Sequence, residues 1–167
     1  MMRVRLLAVL LLTVACRSAD SAPDARRAAA ATDSAFAGVQ SRGAAVMGVD
    51  QYTSSHVFQP LPDGGRIELQ RDVDDSAGVA QIRAHMATIA AQFAAGDFRL
   101  PGAVHDRTVP GTVAMAARRA VITYTVESLP RGGAVRITTR DSAAIAAIHE
   151  FLAFQRQDHH AGAGHHM

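Results

Sequence analysis

Lysine is absent from this chain, and all 17 basic residues are arginine. That excludes a Schiff-base lysine and the lysine of a phosphate-binding P-loop. Cysteine occurs once, at Cys16, so no intramolecular disulfide can form and a cysteine-ligated zinc site has too few ligands. Long apolar runs are missing too. The one clear run, residues 6–15, is half the length of about 20 residues that a membrane-spanning helix needs. Gly-x-Ser-x-Gly, HExxH and CxxC are absent, as is a glycine-rich loop leading directly into a helix, so hydrolase, zincin, thiol-redox and nucleotide motifs find no support.

What the N-terminus does contain is a pattern. Arg3 and Arg5 precede the run LLAVLLLTVA, and the run ends Thr13-Val14-Ala15-Cys16. A basic segment, a short apolar stretch and a small-residue boundary are the parts of a secretory signal. The last four residues resemble the bacterial lipobox. The expectation is a signal peptide over residues 1–15, with Cys16 lipidated as the first mature residue. The lipid membrane is then a partner through that acylated cysteine. Arg17 stands where an aspartate would retain the protein at the inner membrane, which resembles an outer-membrane destination facing the periplasm.

Removing Arg3 and Arg5 leaves 15 basic against 15 acidic residues, so bulk charge gives no argument for nucleic-acid binding. Residues 16–45, rich in Ala, Ser, Asp, Arg and Gly, read as the lipidated cysteine and a flexible tether. One domain remains, residues 46–160, followed by a histidine-rich tail, 161–167.

That domain contains the same unit twice, over about 52–96 and 119–160. LPDGGRIEL matches LPRGGAVRI at an offset of 68, and DSAGVAQI matches DSAAIAAI at an offset of 66. In each copy alternating strands flank a turn whose Gly-Gly pair permits positive φ. Asp75 or Ser76 caps the helix of the first copy, and Asp141 or Ser142 that of the second. Val79, Ile82, Met86, Ile89 and Phe93 form one apolar stripe; Ile145, Ile148, Phe151 and Leu152 form the other. The predicted fold is α+β: a duplicated ββα unit with about four antiparallel strands and two helices packed on one face. Residues 96–119 read as a long loop between the copies.

Eight histidines and several methionines, without a second cysteine, give an imidazole and thioether ligand set. That pair suits copper, with zinc as the alternative. The candidates are His56, His85, His105, His149, His159 and Met115. His105 is followed by Asp106, a carboxylate of the kind that orients a ligating histidine. His85 and His149 border the apolar stripes, where a hydrogen-bonded core histidine is the commoner outcome, and Met86 reads as core filler. The C-terminal stretch 158–167, with His159, His160, His165 and His166, is expected to bind divalent metal weakly by composition alone.

Residues 47–162 resemble a family of small, uncharacterised bacterial proteins often labelled aspartate carbamoyltransferase. The stretches that carry the likeness are MGVDQ with TSSHVF, PDGGRIEL, IRAHMATIAAQFAAGDF, VHDRTVPGTVAM, and VRITT with AIAAIHEFLAFQRQDH. The resemblance implies one compact fold, with histidines at His56, His85, His105, His149 and His159 and a methionine at Met115. It also implies further histidines where Val57 and Thr88 stand in this chain. It does not imply the labelled activity: the Ser-Thr-Arg-Thr type carbamoyl-phosphate loop has no counterpart here. Three functions follow as expectations. The first is an envelope lipoprotein that binds a soft or borderline metal, copper before zinc. The second is a non-catalytic adaptor or assembly lipoprotein with an envelope protein partner. The third is a small hydrolase or transferase built on His105 and Asp106.

Overall fold

The computed structural model describes residues 21–48 and 53–161. The expected signal peptide, Cys16, His165 and His166 lie outside the described residues.

Two hairpins make the sheet. β1 (Ser54–Leu61) pairs with β2 (Gly64–Arg71), and β3 (Thr123–Leu129) pairs with β4 (Gly132–Thr138). β2 and β4 then pair antiparallel at the centre, giving the order β1-β2-β4-β3. The register puts Phe58, Ile67 and Val135 in one row, and His56 opposite Leu69 in the next, all on the helix-covered face. The other face is polar, with Arg66 bonded to Glu68 (3.3 Å) and to Glu127 (2.5 Å). One apolar and one wet face is what alternating antiparallel strands produce. The fold is α+β, as the duplicated pattern predicts.

Each hairpin leads into a long helix, α2 (Ser76–Ala94) after the first and α5 (Ser142–Asp158) after the second. Both begin on aspartate: the Asp75 carboxylate accepts from the Gly78 amide, and Asp141 accepts from that of Ala144. α2 buries Val79, Ile82, Met86, Ile89 and Phe93; α5 buries Ile148, Phe151 and Leu152 with the small Ala144 and Ala147, while Ile145 of the expected stripe is only half-buried. Each such large side chain contributes about 1.5–3 kcal/mol on burial. The helices cross over. α2 lies mainly on β4 and β3, the hairpin of the other copy, while α5 lies on β1 and β2.

Three sequence expectations need correction. The glycine pairs are not the turns: Pro62-Asp63 and Pro130-Arg131 turn the chain, and the glycines open β2 and β4. Gly64 does take the expected positive φ (138°), and closeness explains the others, since a Cβ on Gly65 would overlap Leu152 and one on Gly132 would overlap the Leu69 carbonyl. Residues 96–119 are not a structureless loop either. They fold into α3 (Arg99–His105) and α4 (Thr112–Ala117), with Pro101 in the first turn of α3, where a missing N–H costs nothing.

The third correction concerns the tether. Residues 21–47 form a helix, α1 (Ser21–Met47). The described side chains from Arg26 to Ala35 are exposed, but Val39, Gln40 and Gly43 are buried. Arg42 Nε donates to the Val104 carbonyl at 2.6 Å, and Phe36 stacks on His160 with ring centroids 4.2 Å apart. Most helical stability in proteins comes from tertiary packing, and these contacts supply it for the C-terminal half of α1. Replacing Arg42 with Ala is therefore expected to raise amide hydrogen exchange across residues 36–47 while leaving exchange in α2 and α5 unchanged. Unaltered exchange in α1 would show that the bond does not hold the helix.

Candidate functional site: a histidine-lined cavity

Four of the six candidate ligands meet at one place. His56 reaches it from the inner face of the edge strand β1, and His85 from the buried stripe of α2. His105 is the last residue of α3, and His159 follows the last residue of α5. The rings of His56 and His159 lie 5.0 Å apart between centroids, and those of His105 and His159 also 5.0 Å, edge to face. Together with His85 they line a cavity of about 60 Å³ whose remaining walls are mostly apolar, among them Phe58, Met86, Phe93 and Phe151. Gly43 of α1 also lines it. The space suits an ion, a diatomic molecule or a few waters, and is small for an organic metabolite.

The electrostatics follow from those walls. Burial pushes the His85 imidazole down to about 4. Burial, and secondarily the neighbouring His85, pushes His56 down to about 4. Burial, with His56 and His105 beside it, pushes His159 down to about 2. All three are therefore neutral at pH 7, each with one nitrogen lone pair free to accept or ligate. The Nδ1 of His159 is buried without a hydrogen-bond partner among the described residues. An orphaned buried nitrogen costs about 1–3 kcal/mol.

His105 is held differently. Its Nδ1 lies 2.5 Å from Asp158 Oδ2 and its Nε2 lies 2.9 Å from Gln155 Oε1. Asp158 in turn receives Arg107 Nη2 at 3.2 Å, and Arg107 lies over the Phe154 ring. The carboxylate that orients His105 is thus Asp158. Asp106, its sequence neighbour, is exposed and caps α3 in the left-handed region (φ 52°). The His105–Asp106 pairing that a hydrolase reading needs does not form.

Two candidates lie elsewhere. Met115 is fully buried in the core on α4 and does not line the cavity. His149 donates from Nε2 to the carbonyls of Leu61 (2.9 Å) and Gly64 (3.0 Å), tying α5 to the first hairpin. Met86, read from the sequence as core filler, is buried and lines the cavity as well. Gln155 and Asp158 were missed. Their signal is the spacing Gln155-Asp158-His159, which puts all three on one side at the C-terminal end of α5.

Among the described residues, no group of three or more His, Cys, Asp or Glu side chains is set at metal-holding geometry. No helix there is long and apolar enough to cross a membrane. Comparison of the chain with protein-family models, with curated proteins and with solved structures gave no match.

Proposed function

We propose that this chain is an envelope-anchored lipoprotein whose domain binds a soft or borderline metal ion, copper(I) before zinc, in the histidine-lined cavity. The observation that carries the reading is the set of imidazoles kept neutral around one small, mostly apolar space, with the His159 Nδ1 unpartnered. Metal ligation needs deprotonated imidazole, and these rings meet that condition without displacing a proton at neutral pH. Apolar walls disfavour a strongly hydrated hard cation and suit a singly charged soft one.

Copper(I) accepts two or three ligands, which fits a cavity where a ready set of three is not arranged. His56 and His159 are the primary pair in this reading, with His85 as the third. The Met86 thioether lines the same cavity and is a soft donor. His105, with both nitrogens hydrogen-bonded, serves as a positioning residue that fixes the turn carrying His159. The adaptor reading has less support, because the exposed large apolar residues described are five valines, Val46, Val73, Val113, Val121 and Val126.

The test is Cu(I) competition against a coloured chelator, using the full chain in detergent. Cys16→Ser, His165→Ala and His166→Ala form the common background, removing unrelated copper ligands. One-to-one binding is expected, weakened by about 10- to 100-fold or more by His56→Ala and by His159→Ala, since loss of a ligand costs no less than loss of a residue that orients one. Met115→Leu and His149→Gln are expected to leave affinity unchanged. Binding that survives the loss of both His56 and His159, or no binding at all, would end the metal reading.

A further inference from the structure

The two edges of the sheet are built differently, and the duplication provides an internal control for the difference. On β1, Pro60 has no N–H to offer an incoming strand, and Arg156 of α5 donates to the Phe58 carbonyl at 3.0 Å. Both features blunt an edge. The residue equivalent to Pro60 in the second copy, 68 positions on, is Ser128. The residue equivalent to Phe58 is Val126. The helix position equivalent to Arg156, 66 positions back, is Ala90 on α2. Since α2 covers β3 just as α5 covers β1, Ala90 stands where an edge-capping arginine would. Copy one carries both guards and copy two carries neither.

The unguarded strand is also well suited to pairing. β3, Thr-Tyr-Thr-Val-Glu-Ser-Leu, is rich in β-branched residues and contains no proline. Among the described residues, no hydrogen bond from outside the sheet reaches the backbone of residues 124–128. Val126 lies in the row of Ile67 and Val135 on the apolar face, yet is 43 % exposed. An exposed residue at that position lacks a neighbour on its outer side.

We infer that β3 is a docking edge for a second copy of this chain, paired antiparallel about Val126, so that two four-stranded sheets become one of eight. In that register Val126 meets its own mate, Thr125 stands opposite Glu127, Tyr124 opposite Ser128, and Thr123 opposite Leu129. No charge faces a like charge directly, and Glu127 is already neutralised by Arg66 at 2.5 Å. The arrangement is isologous and closes on itself, because the β1 edges left at the two ends are guarded.

The experiment installs the missing guard. Size-exclusion chromatography with light scattering, which separates protein mass from bound detergent, is run on the full chain, on Ser128→Pro and on Val126→Lys. Ser128→Pro copies what β1 carries at Pro60, and Val126→Lys places a charge at the centre of the paired register. The wild type is expected at twice the chain mass and both variants at the single mass, with circular dichroism unchanged. If Ser128→Pro fails to fold, Val126→Lys alone decides, since its side chain is already on solvent. A wild type of single mass at high micromolar concentration overturns the inference, including the case where residues 1–20 cover the edge within one chain. Dimers that persist in the folded variants overturn it as well.

Discussion

Acidification from pH 6.5 to pH 4.5 is expected to cost the folded domain about 5 kcal/mol of stability. His56, His85 and His159 have pKa values lowered by burial in the folded state, to about 4, about 4 and about 2. In the unfolded chain each titrates near its ordinary value of about 6.5. Above that value both states hold neutral rings, and stability is at its full level. Below it the unfolded state takes up protons that the folded state refuses, so stability falls with falling pH until the folded rings protonate, near pH 4 for His56 and His85. Each proton of difference is worth about 1.4 kcal/mol per pH unit.

His56 and His159 keep part of their surface on solvent, which screens them, so an uptake near two protons is expected rather than the full three. Two protons over two pH units come to about 5 kcal/mol, comparable to the whole stability of many small domains. The loss is not offset by Asp63 or Asp97, whose carboxyls are held below their ordinary range by Arg136 and Arg99 and titrate at lower pH. Urea unfolding at pH 7, 6 and 5 measures the slope, and His56→Phe should reduce it by about one proton. Equal midpoints at pH 7 and pH 5 would mean that the imidazoles are solvated and that the cavity is not the apolar site described.

Gly111→Ala is expected to destabilise the domain by about 2–5 kcal/mol, lowering the melting temperature by roughly 10 °C or more. Gly111 sits at the start of α4 with φ +79°, a left-handed conformation that costs a residue with a side chain about 1–2 kcal/mol. A Cβ there would also overlap the Ala147 carbonyl oxygen and come within 3.0 Å of the Phe151 amide nitrogen. Those atoms are the backbone of α5, which cannot turn aside as a side chain would, so α4 must lift off. Gly102→Ala is the control: its Cβ would lie at an ordinary 3.5 Å from the Arg107 carbonyl, at ordinary φ. Similar melting temperatures for the two variants would show that α4 and α5 are not in close backbone contact.

The fold was legible because its signals are local and repeated. Asp75 and Asp141 announce two helices, and the apolar stripes behind them have nowhere to go except onto a sheet. The site was half legible. His56, His85, His105 and His159 could be nominated by chemistry, but their convergence depends on which strand faces which helix, and that is long-range information. Met115 and His149 carry the same chemistry and are occupied with packing and a hairpin tie. Asp158 was hidden because the partner of His105 lies 53 residues away in the chain, whereas Asp106 is adjacent. α1 was hidden by its alanines: Phe36, Val39 and Gly43 fall at helical spacing, but too sparsely to stand out as an apolar face.

The crossed helices govern when this protein can fold. A chain that emerges N-terminus first completes β1, β2 and α2 long before β3 and β4 exist, yet the surface that α2 covers belongs mainly to those later strands. The first copy therefore finds only its minor contact, with β2, and most of its apolar stripe stays unsatisfied until residue 138 has emerged. Contacts so distant in sequence also make folding slow. For a chain that must thread through a translocation channel unfolded, as the proposed export requires, such a delay is an advantage: the topology itself postpones collapse until nearly the whole domain is through.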